Sequence, residues 1–330
     1  MLGTYRLILA LLVALSHADV RWAGLNPGVI AVVGFYAISG YVMTGLIRAH
    51  YPSLSLLPGF YLDRALRLLP AYYAVALLAL AWFFWDGPKP PFLAHAPGAA
   101  DLLNNLLVVP LNYFMWNQSD HFVLVPPAWS LGCEIQFYLV FPLLLLRRVR
   151  LAALLASLAV YFLAVAGQLH TDWYGYRLLP GVLFIFLLGS WLYDAQHSAQ
   201  RTGAWLNAPR LCAIVLAITL ALAFAAWRGA LIRVPFNGET LIGIGLCVPL
   251  LAWLAHCRRR GWDERAGDLS YGLFLVHFLV YWIWPGAEQD AGALTLRIAV
   301  SLLLAWGLHK GVEAPVLAWR HRLRSTDKLR

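Results

Sequence analysis

The chain alternates long apolar runs with short polar breaks, and the runs are of similar length. They fall at about residues 4–20, 28–48, 67–86, 128–147, 151–168, 177–194, 210–227, 239–257, 269–285 and 294–319. A helix of about 17–25 residues spans the hydrocarbon layer of a bilayer, so each run predicts a transmembrane helix, ten in all. The expected fold is an all-α polytopic bundle, with residues 1–320 as one membrane domain and 321–330 as a polar, basic tail near anionic headgroups. One break is long. Residues 87–127 contain Pro88, Pro90, Pro91 and Pro97, then an apolar stretch, Leu102 to Trp116, that is short for a span and carries Asn104, Asn105 and Asn112. This stretch is expected to lie in the interface or to re-enter the membrane. There is no internal repeat.

Composition agrees with the pattern. Of 330 residues 61% are apolar and 12% charged, whereas soluble domains run nearer half and a quarter. The net charge of +9 would suggest nucleic acid in a soluble protein. Here the basic residues flank apolar runs, so no nucleic-acid partner is expected. With the N-terminus inside, 19 of the 25 Lys and Arg fall on the inner side. Six fall outside: Arg21, Lys89, Arg177, Arg228, Arg233 and Arg297. The positive-inside rule therefore places both termini in the cytoplasm. Cys133, Cys212, Cys247 and Cys257 show no metal-type or disulfide-type spacing. The first run lacks a basic leader and a small-residue cleavage site, and is read as a retained span.

Polar groups inside apolar spans are rare and usually face the interior or a cavity. In the first span Arg6 and His17 are eleven residues apart, almost three helical turns, so they share a face and stand about 16 Å apart along the axis. Arg6 lies where a phosphate can arrive from the cytoplasm. His17 lies far across and suits a base near neutral pH. An elongated donor held at one end and reacting at the other fits the pair; a snorkelling Arg6 and a His17 bonded to a neighbouring helix is the plainer alternative. In the fourth span Ser130, Glu134 and Tyr138 form an i, i+4, i+8 row, with Pro142 below them to kink the helix. Glu134 must there be paired, protonated or working. Arg64 and Arg67, i, i+3 neighbours on the inner side, either bind donor phosphates or simply anchor the helix. Ser270 and His277 share a face of the ninth span, where a bonded, buried His277 is expected. His309 and Glu313 are expected to satisfy each other as an i, i+4 pair, and Ser39-Gly40 to permit close helix packing.

In chain order these pieces resemble acyltransferase family 3, the integral-membrane acyltransferases of bacterial surface glycans, lipids and some small molecules. Arg6 and His17 look like its basic residue, ten intervening positions, then histidine. Phe35-Tyr36-Ala37-Ile38-Ser39-Gly40-Tyr41 is similar to F-F-x-x-S-G-F/Y, and Arg64 to Tyr72 to R-x-x-R-I-x-P-x-Y. Trp129-Ser130-Leu131 through Glu134, Phe137-Tyr138 and Pro142 resembles W-S-L-x-x-E-x-x-F-Y-x-x-x-P. Arg177 with Gly189, Ser270-Tyr271 with His277, and Glu313-Ala314-Pro315 resemble the remaining motifs. The chain departs from the pattern at Val33, where the family often has an acid, and at Asp63, where two basic residues usually open the arginine motif.

The resemblance implies a multi-pass enzyme of the bacterial inner membrane that takes an acyl group, most often acetyl, from cytoplasmic acyl-CoA to a hydroxyl of a surface glycan. Lipid or small-molecule acceptors are the alternatives. It implies no metal. Arg6, Arg64 and Arg67 would bind the donor. His17 would be the general base or the acyl carrier. Glu134 would orient or charge-balance the histidine or an arginine, with Ser130, Tyr138, Ser270 and His277 as further site residues. Any periplasmic enzyme needed to finish transfer would be a separate protein. A transporter or flippase, the rival class, would show repeats and broken helices at matching positions.

Overall fold

The computed structural model describes residues 1–197, 207–258, 260–286 and 290–319; the expected basic tail at 321–330 lies outside them. The described residues form twelve α-helices. They are α1 (Leu2–His17), α2 (Pro27–His50), α3 (Leu57–Asp86), the short α4 (Ala99–Leu107) and α5 (Phe114–Asn117), α6 (Ala128–Leu146), α7 (Arg150–Val165), α8 (Leu179–His197), α9 (Ala208–Trp227), α10 (Asn237–His256), α11 (Gly261–Ile283) and α12 (Ala291–Leu308). Eight segments are long and apolar enough to cross a membrane; α1 and α7, of 16 residues each, are apolar but shorter. The ten apolar runs thus correspond to ten long helices in one all-α bundle.

Two helices begin well before their apolar runs. α3 starts at Leu57, not near 67, and α11 at Gly261, not near 269. Hydropathy marks where a helix is apolar, not where it is helical. Pro58 suits the first turn of α3, and Asp263 and Glu264 favour the N-terminal end of α11 through the helix dipole. The extra turns matter, because Asp63 and Arg64 thereby join Arg67 on one helix.

α1 runs between α2 and α11. Its N-terminus is pinned at one end of the bundle: the Met1 amine donates to Leu254 O at 2.8 Å, and Thr4 N and Oγ1 donate to Asp263 Oδ1 at 2.8 and 2.9 Å. α2 packs on α8 through glycines. A Cβ on Gly40 would stand 1.7 Å from Phe186 O, and one on Gly189 would stand 1.9 Å from Ala37 O. Only glycine allows these backbones to approach so closely.

The long connection folds back into the bundle. Asn112 is fully buried and accepts from Gln136 Nε2 of α6 at 2.9 Å, while Tyr113 Oη donates to Gln136 Oε1 at 2.5 Å. Asn105 donates to Phe122 O at 2.9 Å and accepts from Leu124 N at 2.8 Å. Asn105 and Asn112, two of the three asparagines that stand out in the sequence, therefore help to satisfy an irregular segment sheltered by protein. This segment walls one of the cavities described next, with Phe92, Leu111, Phe114 and Asp120.

Candidate active site

Three neighbouring cavities follow α1 from Arg6 to His17. The first, of about 140 Å³, is lined by Arg6, Arg64, Arg67, Glu134, Tyr138 and Ser270 among others. The second, of about 70 Å³, shares Val32, Ser130 and Phe274 with the first. The third, of about 220 Å³, shares His17, Trp129 and Arg177 with the second and adds Asp120. The arginines and the histidine thus stand at opposite ends of one row, as their eleven-residue separation on α1 requires.

The arginine end is electrically balanced. Arg67 Nη1 donates to Glu313 Oε2 at 2.6 Å, and Arg64 is paired with Asp63. Glu134 accepts from Ser39 Oγ at 2.5 Å and from Tyr138 Oη. Arg6 Nε has no hydrogen-bond partner. Three guanidiniums therefore face three carboxylates, with Arg6 the least engaged. The sequence expected Glu134 to orient or charge-balance the histidine or an arginine; it shares the cavity of Arg6, Arg64 and Arg67, which His17 does not line, and its hydrogen bonds run to Ser39 and Tyr138. Nor do His309 and Glu313 satisfy each other. A π turn over His309–Glu313 shifts their register, so that Glu313 reaches Arg67 while His309 Nε2 lies 3.7 Å from Asp268 Oδ2.

At the other end His17 faces His277. Their nitrogens, His17 Nδ1 and His277 Nε2, are 3.0 Å apart. His277 is fully buried, and its Nδ1 lies 3.0 Å from Leu273 O. A carbonyl only accepts, so His277 Nδ1 carries the hydrogen, and in the neutral ring its Nε2 holds a lone pair. His17 Nδ1 must then donate, which leaves the His17 Nε2 lone pair free to take a proton. Arg177 borders the same space. Its Nε donates to Asp172 Oδ1 at 2.7 Å, and its guanidinium lies 4.4 Å from the Trp129 ring centroid, a cation–π geometry.

Of the residues singled out in the sequence, Arg6, Arg64, Arg67, Ser130, Glu134, Tyr138 and Ser270 converge on the first cavity. His17 lines the other two, and His277 sits behind it. Ser130 and Ser270 donate to the carbonyls of Pro127 and Gly267. Sequence reasoning missed Ser39 as a partner of Glu134, Asp63 and Glu313 as counter-charges, and Asp120. Ser39 carried a signal, since it stands in the Phe35–Tyr41 segment that resembles a family motif. Asp120 carried none, because the fold of a long irregular connection has no period to read.

A bundle of apolar helices with a row of cavities through it, lined by three arginines at one end and by His17 at the other, defines a multi-pass membrane protein. Residues 4–309 match the family model described as "Acyltransferase domain". The chain belongs to this family, acyltransferase family 3, and is an acyltransferase. It is 23% identical over 342 residues to the putative peptidoglycan O-acetyltransferase YrhL of Bacillus subtilis, covering 91% of this chain and 52% of the relative. It is 25% identical over 352 residues to the peptidoglycan O-acetyltransferase OatA of Listeria monocytogenes, covering 94% and 54%. It is 26% identical over 355 residues to the acyltransferase MdmB of Streptomyces mycarofaciens, covering 90% and 83%. The chain spans about half the length of the two peptidoglycan O-acetyltransferases. No solved structure matches it.

Proposed function

We propose that this protein transfers an acyl group, most simply acetyl, from acyl-CoA to a hydroxyl of a bacterial cell-surface glycan. It would work in the inner membrane with both termini in the cytoplasm. The observation that carries the reading is the row of cavities joining three arginines to His17.

The phosphates of the donor would enter at Arg6, Arg64 and Arg67. Because Arg64 and Arg67 are already held by Asp63 and Glu313, a polyanion must share or displace those carboxylates, whereas Arg6 is ready to bind. The extended arm then lies along the α1 face and carries the thioester toward His17. The acceptor hydroxyl would reach His17 from the third cavity, past Trp129, Phe114 and Asp120.

His17 Nε2 takes the hydroxyl proton while the oxygen forms a bond to the thioester carbonyl carbon. The carbon–sulfur bond breaks, and His17 returns the proton to the leaving thiolate. His277 would hold His17 in the tautomer this needs, and Arg177 stands where it would stabilise the oxyanion. Glu134, fixed by Ser39 and Tyr138, would set the charge of the donor cavity and act on His17 only at a distance. The O-acetyltransferase names of two relatives support the hydroxyl acceptor.

The test is acyl transfer from radiolabelled acetyl-CoA by membranes containing wild type or His17→Ala, with the label followed into surface-glycan fractions. Incorporation by wild type and its loss in the variant support the reading. Equal labelling by both would defeat the assignment of His17, and no labelling by either, despite normal expression, would defeat the choice of donor or acceptor.

A further inference from the structure

A basic cavity lies away from this row, at the end of the bundle that holds Arg6. It measures about 870 Å³ and is walled by the inner ends of α2, α6, α7 and α8. Arg48, Arg148 and Arg150 line it. Arg48 and Arg150 both donate to Asp194 Oδ2, at 2.8 and 2.7 Å, and Arg150 also donates to Ser190 Oγ at 2.6 Å. One carboxylate thus holds two guanidiniums. Arg148 has no ion pair or side-chain hydrogen bond among the described residues, and it sits at φ 58° at the end of α6. The cluster therefore carries two positive charges beyond its carboxylate.

The remaining walls are mostly apolar: Ile47, Pro52, Leu145, Leu146 and Leu151, with Trp191 beneath Arg150 at 5.9 Å from its ring centroid, and Tyr193 and His197 closing one side. Leu151 is 60% exposed, and Leu155, one turn along α7, is 58% exposed. Leu151, a wall of the cavity, thus continues into the exposed apolar flank of α7. A soluble phosphate compound has no use for a leucine-lined flank, whereas a lipid places a phosphate and acyl chains in this arrangement. We propose that this cavity binds the headgroup of an anionic phospholipid in the leaflet on the Arg6 side. The phosphate would sit among Arg48, Arg148 and Arg150, and an acyl chain would lie along Leu151 and Leu155. The site is independent of the donor reading. It bears on Arg48 of α2, the helix that also presents Ser39 and Met43 to the first cavity.

The test is native mass spectrometry of the purified, delipidated full chain in detergent, titrated with phosphatidylglycerol or phosphatidylcholine. One phosphatidylglycerol should bind tightly, and phosphatidylcholine weakly. Arg48→Gln with Arg148→Asn should weaken phosphatidylglycerol about thirtyfold and leave phosphatidylcholine unchanged. Asn tolerates the left-handed backbone at 148. If Arg48→Gln disturbs folding through Asp194, Arg148→Asn alone should still give about a fivefold loss. Equal binding of the two lipids, or phosphatidylglycerol binding unaffected by the variants, would overturn the proposal. So would displacement of the lipid by inorganic phosphate or adenosine 3′,5′-bisphosphate, which would mark a site for soluble phosphate compounds instead.

Discussion

His17 and His277 form a directed hydrogen-bond pair that ends on the main chain. The 3.0 Å contact between His17 Nδ1 and His277 Nε2 is followed by a 3.0 Å contact from His277 Nδ1 to Leu273 O, and the rings lie within 9° of parallel. Since the carbonyl fixes the direction of donation, a neutral His277 accepts from His17 Nδ1, and the His17 Nε2 lone pair is then free. His17→Ala should lower acyl transfer by about 10²–10⁴-fold while the protein still reaches the membrane, as membrane fractionation and a labelled-donor assay would check.

The positioning role proposed for His277 can be separated from packing by its variants. His277→Phe fills the space but leaves His17 Nδ1–H without an acceptor, so turnover should fall by about 10²-fold through loss of the correct tautomer. The KM for the acyl donor should stay near wild type. His277→Gln, whose amide oxygen can accept from His17, should recover part of the loss. If Phe and Gln behave alike, His277 only packs.

The Arg67–Glu313 pair predicts an asymmetry in stability. Glu313 is almost completely buried, and its Oε1 has no partner. Arg67→Leu would strand that carboxylate and should destabilise the protein by about 3–5 kcal/mol, whereas Arg67→Leu with Glu313→Leu should destabilise it much less. Thermal unfolding in detergent would show the difference. Equal loss in the single and double variants would mean that Glu313 is held by something other than Arg67.

The helix contacts predict intolerance of a single methyl group. Gly40→Ala sets a Cβ against the Phe186 carbonyl, a backbone atom that cannot turn aside. α2 must then move off α8, carrying Ser39 away from Glu134. Destabilisation of about 1–3 kcal/mol is expected, with loss of activity disproportionate to the loss of folded protein. Gly229→Ala, whose Cβ would meet nothing within 4 Å, controls for substitution of glycine as such, although its positive φ of 79° adds local strain.

These particulars show what the sequence could reveal. Helices were legible because bilayer length and hydropathy fix them, and the face shared by Arg6 and His17 was legible because it depends only on helical pitch. The Ser130, Glu134, Tyr138 row was legible for the same reason. Partnerships between helices were not. Nothing in the spacing says that Ser39 meets Glu134 across 95 positions, or that a π turn hands Glu313 to Arg67 rather than to His309. Helix ends beyond the apolar runs escaped hydropathy for the reason that α3 and α11 illustrate: their polar turns are helical without being hydrophobic.

Arg177 offers the sharpest test of the histidine end. Its Nε is committed to Asp172 and its flat face to Trp129, so the guanidinium is held in one orientation beside the His17 cavities. Lysine keeps the charge but has neither the second donor plane nor the flat face, and it cannot reproduce both contacts at once. Arg177→Lys should therefore lower kcat by about 10²–10³-fold if the guanidinium faces the developing oxyanion, with donor KM little changed because the proposed donor-phosphate site is at the other end of the row. A raised acceptor KM with normal kcat would instead make Arg177 a binding residue of the acceptor cavity. Steady-state kinetics with a soluble glycan acceptor, varied independently of acetyl-CoA, separates the two outcomes. Wild-type values of kcat and both KM constants in Arg177→Lys would show that the Trp129–Arg177–Asp172 contact is structural alone.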